Sequence, residues 1–560
     1  MGRGTRPTIG DALSSRVKAQ MERLRENLER RTHAAIQAQL QQAKAPWQRI
    51  APLSKSDLAT ERSQKSFNPA TQVAPQARRA AKPVTPTPTG PAKLRSGQVL
   101  RRERREFRYW TLPAEAAVRE PASTSISKEE RAEFKSIVET GLVPNGGEAG
   151  EELFAIIGID LGTSTTKIIV RFPYEAGVPT IAIPAPVHCR SAGQPYLWKT
   201  ALWVRSNGVF VAWPEPGAHL LYSLKQGIVL GEATPLVIPG LERAETVTRA
   251  DAAAAFVAFV LRYVRGWLFI NRRELFRRRR AVWFMNVGLP AASYDDPSLV
   301  SVYRRMAATG YLLSDFDVEI SARAAQAFLR DGRVVAAGFS ADGAENLGVA
   351  ILPETTAEVA GFAKSTSRAA GVYLMVDVGA MTLDVCAFRL GRWKGSTDIY
   401  ALLTAQVRPL GVESYYWFLR QGMTDTGFEE QCNYCVREVV WGTKRDRDPR
   451  AECWKEGNAL PVFLVGGGAH NGLHRDVVRK LDPWLRHHAH NGGIRLLTLP
   501  TPTNIDLPEP VSDFGRLAVA WGLSYPYRDI GEILSQSRIA DMPRSSTVDF
   551  GSRYVSKDQV

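Results

Sequence analysis

The chain has 560 residues, 44% of them apolar and 23% charged, with a formal net charge of +15 and only five cysteines. That length and apolar content allow one large two-lobed domain or several small ones. A cysteine count that is low, odd and without framework spacing excludes a disulfide-stapled scaffold and fits a reducing compartment. The start of the chain lacks the apolar core of a secretory signal, and no run of about 18 uncharged apolar residues is found, so a cytoplasmic protein without a transmembrane segment is expected.

The charge is unevenly placed. Residues 1–110 carry 23 Lys/Arg against 8 Asp/Glu, and the remaining 450 carry 49 of each. A basic arm therefore precedes a neutral body, and the arm is suited to an acidic surface such as nucleic acid, anionic lipid or an acidic protein face. Within it, Val17, Met21, Leu24, Leu28, Ala35 and Leu40 recur at helical spacing. Residues 1–62 thus read either as a helix packed on its own body or as a short coiled coil that would make a homodimer. Residues 63–127 read as a Pro/Ala-rich basic linker, ending in the arginine- and aromatic-rich stretch Arg101–Trp110, which suits either a phosphate backbone or solvent. A connecting helix and turn are expected over 128–152, a main domain over 153–530 and a tail over 531–560.

The main domain opens with Ile156-Ile157-Gly158-Ile159-Asp160-Leu161-Gly162-Thr163-Ser164-Thr165-Thr166-Lys167, a strand, a Gly/Ser/Thr turn and a second strand. Such a tip turns backbone N–H groups and hydroxyls inward, which makes a nest for phosphates. A carboxylate at Asp160 beside phosphate requires a cation, so Mg²⁺ is expected there. The design recurs at Leu374-Met375-Val376-Asp377-Val378-Gly379-Ala380-Met381-Thr382-Leu383-Asp384, and a third strand, Pro461–Val465, runs into Gly466-Gly467-Gly468. Two facing Asp hairpins can clamp a nucleotide's phosphates, and a glycine strip lets a backbone lie flat against an adenosine.

In these segments the chain resembles the actin-like ATPase superfamily, in particular the DnaK-type (heat-shock chaperone-like) nucleotide-binding domain. The resemblance covers about 380 residues and implies a two-lobed α/β fold, with duplicated ribonuclease-H-like mixed sheets flanked by helices. It implies ATP and Mg²⁺ as cofactors. Phosphate contacts would come from Gly162, Thr163, Ser164, Thr165, Gly379, Thr382 and Gly411, adenosine contacts from Gly466, Gly467 and Gly468, and metal ligands from Asp160 and Asp377. Tyr222-Ser223-Leu224-Lys225 looks like the segment bearing the catalytic lysine, and Pro353-Glu354 through Glu358 like the helix whose glutamate organises metal and water. The implied catalytic set is Asp377, Lys225, Glu354 and Asp160, with Glu358 the alternative to Glu354.

Several departures narrow the reading. Ala380-Met381 stands where the chaperones carry two glycines, which implies slower turnover. Gly411 and Gly466 lie too close in sequence for a full adenine clamp, leaving Glu438 and Lys444 as what remains of one, and no β-sandwich peptide-binding domain follows. The expected function is a slow DnaK-like ATPase switch acting on a protein partner through the arm. An actin-like filament or scaffold protein and a sugar-kinase-type phosphotransferase are the alternatives. Cys432, Cys435 and Cys453 are either idle buried thiols or zinc ligands together with a histidine from His487, His488 or His490.

Overall fold

The computed structural model describes residues 126–142 and 151–540, apart from 226–227, 229–234, 244, 316, 318, 331–347, 394–396 and 512. The expectations for the arm, for the linker as far as residue 125 and for the tail beyond 540 lie outside the described residues.

Alternating apolar runs build two mixed sheets. In the first, β1 (Glu151–Leu161) pairs antiparallel with β2 (Thr165–Arg171), which pairs antiparallel with β3 (Thr180–Ala182). On its other side β1 pairs parallel with β4 (Arg279–Leu289), which pairs parallel with β5 (Val349–Pro353). In the second sheet, β6 (Gly371–Val378), β7 (Leu383–Trp393), β8 (Thr397–Arg408), β9 (Leu460–Val465) and β10 (Ile494–Leu497) repeat that pattern. Both sheets thus run third, second, first, fourth, fifth in their own chain order with the same strand directions. Short edge strands complete them: Ile505–Asp506 beside β3, and Glu532–Leu534 beside β8. A separate three-stranded sheet is formed by Ala201–Val204, Phe210–Val211 and His219–Tyr222.

The helices cover these sheets in layers. Four of them, α1 (Lys128–Thr140), α2 (Arg249–Asn271), α3 (Pro297–Asp315) and α4 (Glu354–Ala363), come from the first half of the chain, and α5 (Val412–Arg420), α6 (Asp425–Gly442), α7 (Gly472–His488) and α8 (Ala518–Leu523) from the second. Helices α1, α2 and α3 share a core with the odd-numbered residues of β1, from Leu153 to Leu161. Helices α6 and α7 share one with Val372, Leu374, Val376 and Val378 of β6. Between the sheets lie α4 and α8, packed so closely that a Cβ at Gly522 would fall 1.7 Å from the Ala357 carbonyl oxygen.

Helix α2 is long and apolar enough to cross a membrane, yet 89% of its most apolar window is buried inside the protein, so it is a core helix here. Its two buried arginines, Arg262 and Arg265, donate to the Leu313 and Ser314 carbonyls at the end of α3.

Helix α1 is an integral part of this layer. Ser127 and Glu130 form a capping box that starts it. It crosses α2 at backbone contact, since a Cβ at Gly266 would lie 1.8 Å from the Ile137 carbonyl oxygen. Phe134 enters an aromatic box of His188, Trp213 and Tyr263.

Two predictions follow from this docking. Gly266→Ala forces α1 off α2 and is expected to lower stability by about 1–3 kcal/mol in denaturant unfolding, whereas Gly472→Ala in the first turn of α7, where a Cβ meets nothing within 4 Å, changes it by no more than about 0.5 kcal/mol. His188 is pushed down to about 4, first by burial, with the nearby Lys199 charge adding to it. An unfolded histidine takes up its proton near pH 6.5, so the native state gains its full benefit above that pH and loses it as pH falls toward 4. The expected loss between pH 7 and pH 5 is about 2 kcal/mol, read as the difference between wild type and His188→Gln in unfolding measured at those two pH values.

Candidate active site

Strand parity aims the charged groups. Asp377 continues the row of Tyr373 and Met375 on the face of β6 toward α4, and Asp384 shares its parity with Cys386 and Phe388 on β7. In the first sheet Asp160 follows the even-numbered residues of β1, away from the α2 core, and Lys167 shares its parity with Ile169, which packs with Trp521 of α8. All four point into the layer between the sheets, where α4 supplies Glu354 and Glu358.

The two hairpins are one device with different charges. Asp160, next to last in β1, stands opposite Lys167, and Asp377, next to last in β6, stands opposite Asp384. In the first, Lys167 Nζ lies 2.9 Å from Asp160 Oδ2. In the second, two carboxylates face one another, an arrangement that repels unless a cation intervenes. Ligand oxygens of Glu354, Asp377 and Asp384 all lie within 4.8 Å of one another, and this is the one group of three or more metal-capable side chains among the described residues. Asp160, expected as a metal ligand, is paired with Lys167 and lies outside that group.

Lys225, which follows the strand His219–Tyr222, reaches across to Glu354, with Nζ 2.5 Å from Oε1. Both side chains are buried. Glu354 is the first residue of α4, where the helix dipole favours an anion. Of the two glutamates considered in the sequence, Glu354 therefore holds the lysine.

So many carboxylates in one dry place shift each other. Burial, then the Glu354 and Asp160 charges, pushes Asp377 up to about 7. Burial and the Asp377 charge raise Asp384 well above the carboxylate range, and burial with Asp377, Asp160 and Glu354 does the same to Glu358. Glu354 is raised by burial, with Lys225 opposing. For Lys225, burial is the largest influence and lowers its pKa, but the Glu354 charge and hydrogen bond, Tyr303 and Asp160 together raise it above the ordinary lysine value.

The glycine turns lie around this cluster. At the first tip, Gly162 donates to the Asp160 carbonyl, and the Ser164 carbonyl accepts from Thr200. Thr163 belongs to the same tip, and Thr165 begins β2. At the second tip, the carbonyls of Gly379, Ala380 and Met381 accept from the amides of Val412, Glu413 and Gly411 at the start of α5. Thr382 Oγ1 lies 3.3 Å from Asp384 Oδ2. Met381, which replaces an expected glycine, is buried in the base of the turn. Gly466 has φ +85°, and a Cβ there would lie 2.0 Å from Asp377 Oδ1, so only glycine allows β9 to end against that carboxylate. Gly468 donates to the Val378 carbonyl, and Gly467 lies between them.

Two site residues escaped the sequence reading. Lys167 had a signal, the seven-residue spacing shared by Asp160/Lys167 and Asp377/Asp384. Tyr303 of α3 had none. It is fully buried, its hydroxyl has no hydrogen-bond partner among the described residues, and it lies within electrostatic reach of Lys225, Glu354 and Asp384. Burial raises its pKa, so it stays a neutral donor.

Other candidates are placed elsewhere. Cys432 and Cys435 are fully buried in the core under α6 and α7, and no sulfur joins a metal-capable group among the described residues. Lys444 donates to the Ala489 carbonyl, and Glu438 lies on α6. No protein-family model matches the chain, and no curated protein matches it in sequence.

The buried Lys225–Glu354 pair yields a double-mutant test. Lys225→Met alone leaves a buried carboxylate without its cation and is expected to cost about 3–5 kcal/mol, while adding Glu354→Leu restores most of that loss. Denaturant unfolding of the two single variants and the double variant would show the coupling.

Proposed function

We propose that this chain is an ATP-binding, slowly ATP-hydrolysing switch of the DnaK type, built on a two-lobed actin-like fold whose halves are the two sheets. The observation that carries the reading is the repeated hairpin: two sheets of the same strand order each present an aspartate at the same strand position, and both aspartates face one central carboxylate cluster. A lysine paired with a glutamate at the head of α4 completes a set suited to phosphoryl transfer.

The donor chemistry fits Mg²⁺, a hard cation that takes carboxylate oxygens. Glu354, Asp377 and Asp384 would hold it, and it would supply charge neutralisation at the phosphates. In this reading the tips at Gly162–Thr165 and Gly379–Thr382 receive the phosphates, and Gly466–Gly468 lies along the adenosine. Lys225 offsets charge on the transferring phosphoryl group, and Asp377 orients the attacking water and takes its proton. Lys167 keeps Asp160 neutralised from within the chain. The nucleotide state would act on a partner engaged by the basic arm.

The test is Mg²⁺-dependent phosphate release from ATP by the full chain, with Asp377→Asn alongside. Slow release is expected, reduced at least a hundredfold by the substitution, which removes the base but not the volume. Absence of ATP binding to the wild-type chain would sink the reading.

A further inference from the structure

Inside the cluster, two buried polar groups have no hydrogen-bond partner among the described residues. They are the Tyr303 hydroxyl and Asp384 Oδ1, and Tyr303 is 0% exposed. A hydroxyl buried in that condition is costly, and native interiors rarely keep one without a use. Packing alone would be served by phenylalanine. The chain instead places a donor in the middle of α3 within electrostatic reach of Lys225, Glu354 and Asp384.

We propose that Tyr303 is the residue that orients the attacking water, an assignment that rests on the ATPase reading. The phenol O–H donates to the water oxygen. One water hydrogen is directed to Asp384 Oδ1 and the other to Asp377, which leaves the remaining lone pair for the γ-phosphorus. A water bound in this way has one free direction, so three fixed partners select the productive orientation. In the step itself, the water oxygen bonds to the γ-phosphorus. The bond from that phosphorus to the β–γ bridging oxygen breaks, with its electron pair leaving on ADP, and the water proton passes to the Asp377 carboxylate. Tyr303 begins and ends the step protonated.

Its place in the chain separates this role from those of the hairpins. Tyr303 is carried by α3, which packs on α2 and on β5, and β5 leads directly into Glu354. A shift of α3 against β5 would move the donor relative to the Lys225–Glu354 pair, making water orientation sensitive to the helix layer that also carries α1.

The experiment uses full-length Tyr303→Phe, which keeps the ring and removes only the hydroxyl. The expected result is a fall of about tenfold or more in kcat, with KM for ATP within a factor of two and an unfolding midpoint equal to or above wild type. Wild-type kcat in the folded variant would overturn the assignment while leaving the ATPase reading intact. A variant that loses ATP affinity and thermal stability together would also overturn it, because the hydroxyl would then be a structural group. A wild-type chain that binds ATP without releasing phosphate would remove both the hydrolytic reading and this inference. Tyr303→Leu, which removes the ring as well, is expected to lower the unfolding midpoint, and so separates packing from donation.

Discussion

Five carboxylates, Asp160, Glu354, Glu358, Asp377 and Asp384, are gathered where water is scarce, and the rest of the central layer is arranged around the cost of keeping them there. Burial first, then repulsion from the charges of Asp160, Glu354 and Asp377, raises Asp377, Asp384 and Glu358. Two lysines offset part of that charge from within the chain, Lys167 at the first hairpin and Lys225 at the head of α4. The Asp377–Asp384 face has no such partner on its own hairpin. The asymmetry distinguishes two otherwise matching halves: one hairpin sets a lysine against its aspartate, the other sets a second carboxylate there.

Precision at this cluster comes from backbone packing more than from side-chain contacts. Helices α4 and α8 meet at Gly522 with backbone against backbone, and α8 is held to the first sheet by Arg171, which stacks on Trp521 and Tyr525 and donates to Ser524. The same central pair therefore touches both sheets. Glu354 and Glu358 ride on one member of it, so a displacement of one sheet relative to the other is felt directly at the carboxylates. Charge placement and sheet placement are thus coupled through two short helices.

The outer layers serve a different purpose. Helix α2 is apolar on nearly every side because α1, α3 and the first sheet enclose it. Helix α1, just beyond the basic arm, seals that layer through Phe134.

The sequence by itself determined the hairpins, the glycine strip and the aspartates, because these depend on local features: strand alternation, turn glycines and carboxylates at fixed spacing. It also pointed to Lys225 and the Glu354/Glu358 helix, although only by resemblance. It left open which glutamate meets the lysine, placed the metal partly on Asp160, and gave no sign of Tyr303. Which glutamate meets the lysine and what surrounds Tyr303 are matters of tertiary structure, since each depends on residues far apart in the chain: Lys225 meets Glu354 across 129 positions, and Tyr303 lies within electrostatic reach of Asp384 on another element. Period and spacing fix where a side chain points on its own strand or helix. Which charges then share a buried space, and which cation reaches which carboxylate, is set by how the sheets and the helices between them pack.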